Sequence, residues 1–237
     1  DQVLKILQDK GFSYESDGAL WFRSTRFGDD KDRVLRKQSG EYTYITPDIA
    51  YHRSKFERGF QQLINLWGPD HHGYVPRLEA ACEALGYSPK QLRILIVQLT
   101  TLYRKGEPVR MSTRAGEFVT LRELVDEAGA DAARFFFLMR KIDTHLDFDL
   151  ALATKRSDEN PVYYLQYAHA RISSLLAFSR EPIEPHADLS LIQETEAFDL
   201  IKKMSEYPEV LGQAAHNLEP YRVVDYLREL AGLFHKF

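Results

Sequence analysis

The sequence predicts an α/β region over residues 1–155 followed by an all-α region over residues 156–237. Three patterns carry that reading. Between Leu63 and Leu99, short apolar runs alternate with a helix-spaced segment, the rhythm of a parallel sheet with helices on its faces. Glycine and proline stand where those runs must end, at Gly68-Pro69-Asp70 and at Gly86. Beyond Asp149, apolar residues recur at helical spacing only.

Taken in order, Gln2–Lys10 reads as a helix closed by Gly11. Residues 18–46 mix aromatics, Thr and charge around Gly28 and Ser39-Gly40, which predicts short strands joined by polar loops. A helix over Asp48–Phe60 follows Pro47. Leu63–Trp67 reads as a strand, and Leu78, Ala81 and Leu85 mark a helix that Gly86 ends. Leu92–Leu99 reads as a second strand. Thr120-Leu121-Arg122-Glu123 has capping-box form: the Thr120 hydroxyl accepts from the orphan amide at Glu123 while Glu123 reaches back. That helix ends near Gly129, and Asp131 is a candidate cap for another helix containing Phe135 and Leu138. Asn160-Pro161 opens a long helix with Leu165, Ala168, Ile172, Leu175 and Leu176 on one stripe. Glu181–His186 is a Pro-rich loop, and helices follow near Leu191–Tyr207 and Tyr221–Phe234. The domain boundary falls near residues 153–160.

Bulk properties narrow the function classes. The 237 residues are 44% hydrophobic and 28% charged, an ordinary globular mixture with enough apolar side chains for a core. No run approaches the roughly 20 apolar residues of a membrane helix, so no membrane span is expected. The polar N-terminal helix lacks signal-peptide form. The single Cys82 permits no internal disulfide; it suits a cytoplasmic location and reads as a small buried side chain. A net charge of -4 argues against a polybasic nucleic-acid binder, though a local patch matters more than the total. Residues 1–155 carry 23 basic and 22 acidic side chains, whereas residues 156–237 carry 8 and 13. Any RNA contact in the helical region would therefore use a few placed side chains.

Three segments carry chemistry. In Thr43-Tyr44-Ile45-Thr46-Pro47-Asp48-Ile49-Ala50-Tyr51-His52, the Asp48 carboxylate is either a local helix cap or a cation site. One carboxylate can take two parallel bonds from a guanidinium, a fork that an ammonium cannot match. Tyr44 could add a ring face beside it. In Gly68-Pro69-Asp70-His71-His72-Gly73, glycine at a strand end allows close approach of a ligand to the backbone, and the next turn offers unpaired amides. Asp70 could accept from ribose hydroxyls and His72 could approach a nucleotide. A zinc site at Asp70, His71 and His72 is the rival, but no HExxH or cysteine cluster supports it. The third segment, Gly106-Glu107-Pro108-Val109-Arg110-Met111-Ser112-Thr113-Arg114-Ala115-Gly116, reads as a polar, basic, turn-rich loop. It could close over a polyphosphate, with Arg114 and backbone amides stabilising developing charge; a solvated surface loop is the bland alternative. No Walker A sequence is present.

Together these segments resemble the arginyl-tRNA synthetases of bacterial type, a class I aminoacyl-tRNA synthetase family. The resemblance runs in order through Asp17–Arg23, Phe27–Arg33, Tyr44 with Asp48, Gly68–Gly73, Val109–Gly116, Asp131–Phe135, Leu146–Asp149 and Asn160–Arg171. It implies the C-terminal half of a Rossmann-like catalytic domain over 1–155 and a partial helical anticodon-binding bundle over 156–237. Tyr44 and Asp48 match the positions that recognise the arginine side chain, with Asp48 pairing with the guanidinium. Gly68, Asp70 and His72 match the lining of the ATP ribose and adenine region. Met111, Ser112, Thr113 and Arg114 match the mobile catalytic loop known as KMSKS, with Arg110 and Thr113 standing where the full motif has lysines. The implied partners are ATP with accompanying Mg2+, for which no protein ligand is assigned, L-arginine and tRNA(Arg). The family's other ATP signature, HIGH, does not occur in this sequence. The expectation is a fragment that lacks activity by itself. A synthetase-derived module that binds tRNA or assembles without catalysis is the competing reading, and a metal-dependent small-molecule hydrolase is a more distant one.

Overall fold

The first helix, α1 (Gln2–Asp9), buries Val3, Leu4 and Leu7 on one face. Gly11 closes it in the left-handed region at φ +70°. A hairpin follows, with β1 (Ser13–Ser16) antiparallel to β2 (Ala19–Phe22) around Asp17-Gly18, both at positive φ as a tight hairpin turn requires. β3 (Arg33–Arg36) joins β2 to complete a three-stranded antiparallel sheet in the order β1-β2-β3. The protein is described here by a computed structural model covering residues 2–109, 118–179, 186 and 188–237.

α2 spans Ile45–Glu57 and so begins before Pro47 rather than after it. Proline is tolerated there because first-turn amides have no intrahelical acceptor. Ile45 and Ile49 of α2 pack with Leu4, Leu7, Leu20, Phe22 and Leu35 in one core. β4 (Leu63–Trp67) runs parallel to β5 (Leu92–Ile96), in register from Leu63–Leu92 to Trp67–Ile96. The crossover consists of a 3-10 turn, Pro69–Tyr74, and α3 (Val75–Leu85), which ends at Gly86 with φ +102°. The second strand is shorter than expected and stops at Ile96. Phe56, Leu63, Leu78, Cys82 and Leu92 form a second core beneath this βαβ unit. Burial pushes the Cys82 thiol up to about 12, which keeps it an inert packing group.

The chain divides into two compact units, Asp1–Gln98 and Leu99–Phe237. In the second unit, β6 (Thr100–Arg104) pairs antiparallel with β7 (Glu107–Pro108) and parallel with β8 (Leu146–Asp149). α4 (Leu121–Ala128) carries the expected capping box: Glu123 N donates to Thr120 Oγ1 at 3.1 Å and Thr120 N to Glu123 Oε2 at 2.7 Å. α5 (Ala130–Leu138) is entered from Gly129, so Asp131 lies inside its first turn and does not cap it. There its charge still favours the positive end of the helix. α6 (Leu150–Thr154) follows β8. Leu102, Leu124, Phe136, Phe148, Leu150 and Val162 share one core, which puts residues 99–155 in the same unit as the helices that follow.

α7 (Pro161–Phe178) opens as expected at Asn160, whose Oδ1 accepts from Val162 N at 3.0 Å while Nδ2 donates to the carbonyls of Ala153 and Lys155. The remaining helices are α8 (Thr195–Ser205), α9 (Tyr207–Asn217) and α10 (Tyr221–Lys236). The expected Leu191–Tyr207 helix is thus shorter. Leu189–Leu191 is a 3-10 turn, and α9, with Pro208 in its first turn, is a separate element. The α7 stripe also differs from expectation: Ala168 is buried, but Ile172, Leu175 and Leu176 are exposed. α10 covers the N-terminal half of α7, where Tyr164 and Tyr167 pack their rings on His235.

Candidate functional site

The first unit holds a cavity of about 880 Å³, with Asp48 as its acidic lining residue. Four elements build it. β3 contributes Arg33 and Val34, α2 with the residue just before it contributes Tyr44, Asp48, Tyr51, His52 and Lys55, the end of β4 contributes Asn65 and Trp67, and the crossover contributes His71, Tyr74 and Arg77. Alternation along β4 places Leu63, Asn65 and Trp67 on one face, so a polar amide enters an otherwise apolar strand face at the cavity. On α2, Tyr44, Asp48 and His52 follow at spacings of four and share a helical side.

Asp48 is held from two directions. Tyr74 Oη donates to its Oδ2 at 2.8 Å. Below, Asn65 Nδ2 donates to His52 Nε2 at 2.8 Å, which leaves the ring proton on Nδ1, and that nitrogen donates to the Asp48 carbonyl oxygen at 2.8 Å. His52 and Asn65 are both buried. Burial, and then the bond to Asp48, push the Tyr74 phenol well above its usual range, so it remains a hydrogen-bond donor across the working pH range. Asp48 does not cap α2: it sits within the first turn, and its carboxylate faces Tyr74.

Of the cations around the cavity, Arg33 is already paired, whereas the buried Nε of Arg77 has no hydrogen-bond partner among the described residues. Arg33 grips Asp29 through Nε to Oδ2 at 2.8 Å and Nη2 to Oδ1 at 2.7 Å, and also meets Asp30. Lys55 lies 4.2 Å from the Tyr51 ring centre and Arg77 lies 5.4 Å from that of Tyr74. Trp67 packs against the Tyr74 ring at 5.7 Å. The result is a half-buried carboxylate between aromatic walls, an arrangement suited to a flat organic cation.

Of the residues singled out by sequence, Tyr44 and Asp48 both line this cavity, although Tyr44 is 90% exposed. Gly68, Asp70 and His72 lie at the end of β4 and in the following turn, outside the cavity lining, with Asp70 and His72 exposed. His71 lines the cavity instead. A Cβ at Gly68 would stand 2.7 Å from Asp70 Oδ1, the free end of an exposed side chain that can move aside. Met111, Ser112, Thr113 and Arg114 lie outside the described residues. Among the described residues, no group of three or more His, Cys, Asp or Glu is placed to hold a metal ion. No helix among them is long and apolar enough to cross a membrane.

Sequence reasoning passed over His52, Asn65, Trp67, Tyr74 and Arg77. A signal existed for two of them. His52 stands one turn beyond Asp48, and Asn65 interrupts an apolar strand at an inward-facing position.

Residues 1–144 match the family described as tRNA synthetases class I (R), catalytic domain, and residues 165–237 match the DALR anticodon binding domain. The first region is therefore the β/α catalytic fold of a class I synthetase, and the second is helical. The chain is 54% identical over its whole length to arginine–tRNA ligase 1 of Halalkalibacterium halodurans, and 57% identical over 99% of its length to the arginine–tRNA ligase of Citrifermentans bemidjiense. It spans 43% of the length of each. A crystal structure from Campylobacter jejuni, titled as an arginyl-tRNA synthetase, superposes with a TM-score of 0.91 at 40% identity, covering 100% of this chain and 52% of that one. The chain belongs to the class I arginyl-tRNA synthetase family.

Proposed function

We propose that the chain is part of an arginine–tRNA ligase, which joins ATP, L-arginine and tRNA(Arg) to give arginyl-tRNA(Arg), AMP and pyrophosphate. The observation that carries this is the half-buried Asp48 carboxylate, tied at Oδ2 and set among Tyr44, Trp67 and Tyr74. Asp48 pairs with the substrate guanidinium, and Tyr44 closes over it. Gly68, Asp70 and His72 lie against the ATP ribose and adenine, and Met111, Ser112, Thr113 and Arg114 close over the triphosphate. Mg2+ enters with ATP and takes no assigned protein ligand. The catalytic part covers residues 1–155 and the anticodon-binding part covers residues 156–237, in a cytoplasmic protein.

The chemistry asks little of covalent catalysis. The arginine carboxylate attacks the ATP α-phosphate and pyrophosphate leaves. A terminal ribose hydroxyl of the tRNA then attacks the activated carbonyl and AMP leaves. Protein groups position the reactants and stabilise charge. The 237 residues alone are expected to give negligible tRNA charging, since HIGH does not occur in them; robust charging by the purified chain would contradict this. In a full-length enzyme carrying this pocket, Asp48→Asn should impair arginine use far more than ATP use in steady-state kinetics. Near-normal arginine kinetics would overturn the assignment of Asp48. The competing reading, a tRNA-binding module without catalysis, would show tRNA binding without adenylate formation.

A further inference from the structure

The hydrogen-bond network around Asp48 has a direction. Tyr74 directs its one hydroxyl proton to Asp48 Oδ2, His52 directs its Nδ1 proton to the Asp48 carbonyl, and Asn65 directs an amide proton to His52 Nε2. Each of these three donors is therefore turned inward. What Asp48 and Tyr74 themselves leave for a ligand is acceptor capacity, the outer lone pairs of the carboxylate and the lone pairs of Tyr74 Oη, while Arg77 Nε on the other side of the Tyr74 ring is a cavity donor without a hydrogen-bond partner among the described residues.

We propose that Tyr74 is a specificity-determining residue: by donating to Asp48 it both fixes the carboxylate and presents its own oxygen as an acceptor, so that this end of the cavity takes a ligand head group made of donors only. A guanidinium has five N–H donors and no acceptor. Its closest uncharged isostere, the ureido group of citrulline, replaces one NH2, two of those five N–H donors, with a carbonyl oxygen. Turned toward Asp48 and Tyr74, that oxygen meets acceptors and is left without a protein partner beside the half-buried carboxylate, which is how a hydrogen-bonding pocket disfavours a near-isostere. Lysine fails differently, because a single ammonium cannot span the fork. The inference deepens the arginine-pocket reading and rests on it.

Two features set Tyr74 apart from a packing residue. Its ring is already supported by Trp67 on an edge and by Arg77, so the hydroxyl is not needed to place the ring. The side chain also reaches Asp48 across 26 positions, from the crossover to α2, so the bond joins the two elements that face each other over the cavity. Tyr74→Phe keeps the ring contacts and removes only the donor and acceptor.

The test is a titration of the purified chain and of Tyr74→Phe with L-arginine, L-citrulline and L-lysine, followed by amide chemical shifts, with thermal unfolding as the check on folding. The wild-type chain should favour arginine over citrulline by about 100-fold or more. In Tyr74→Phe, arginine affinity should fall about tenfold while citrulline binding changes little, so the ratio between the two narrows by about the same factor. An unchanged ratio, or an equal loss for both ligands, would make Tyr74 a structural residue and overturn the proposal while leaving the arginine pocket standing. If the wild-type chain binds none of the three, the pocket reading falls and the proposal falls with it.

Discussion

Two aspartates of the first unit make opposite use of the same chemistry. Asp29 is closed: its side chain is 1% exposed, and Arg33 fills the fork with bonds of 2.8 and 2.7 Å. Asp48 is open: among the described residues it takes one hydrogen bond to its carboxylate, from Tyr74, and it faces a cavity. The Asp29–Arg33 pair is an internal example of the fork that Asp48 is proposed to offer to a free arginine. In one place the guanidinium belongs to the fold and contributes to stability. In the other, on the proposed reading, the guanidinium is left for a ligand and the carboxylate serves recognition. The two sites also differ in how each acid is held. Burial alone would raise the Asp29 carboxyl, but hydrogen bonds from Arg33, Asp30 and Ser24 outweigh it and hold the group well below the usual carboxylate range.

This contrast can be broken by substitution. The largest expected effect is on stability: Asp29→Ala leaves the Arg33 charge without its buried partner and should cost about 3 kcal/mol in urea unfolding. Asp48→Ala should cost less than about 1 kcal/mol in the same assay, since it removes a single hydrogen bond at the cavity. Equal losses would erase the distinction. The next effect is on binding: Asp48→Asn keeps the shape, removes the charge, and should weaken arginine binding about 100-fold by calorimetry. Asp48→Glu keeps the charge but advances it by a methylene, which displaces the fork from Tyr74; a loss of about tenfold is expected. The mildest effect appears with acid. Because the folded Asp29 is depressed, its contribution is complete above the unfolded value of about 3.9 and is lost as pH falls from there toward the folded value. Unfolding free energy followed between pH 7 and pH 3 should show an acid-dependent component that Asp29→Ala lacks.

How much of this was legible in the sequence depended on how local the signal was. The Thr120–Glu123 box and the Asn160 cap were readable because each is decided within a few residues by one side chain and one orphan amide. The start of α2 was misplaced because Pro47 can stand inside a first turn as well as before one. α9 was missed because a proline at a helix start and a proline in a loop look alike without the neighbouring helices. On α7, helical spacing predicted one apolar stripe but could not say which part of it the fold covers, and of its residues only Ala168 is buried. In the candidate site, Tyr44 and Asp48, singled out by family spacing, both line the cavity. Tyr74 was not singled out, because its role depends on a bond across 26 positions, which no periodicity encodes.

The central claim is that Asp48 offers an unfilled guanidinium fork, and a structure of the protein soaked or co-crystallised with L-arginine tests it most directly. The account predicts the guanidinium within hydrogen-bond distance of both Asp48 carboxylate oxygens, with Tyr74 still bonded to Oδ2. Arginine bound with its guanidinium away from position 48, or seated there by its carboxylate end, would contradict it.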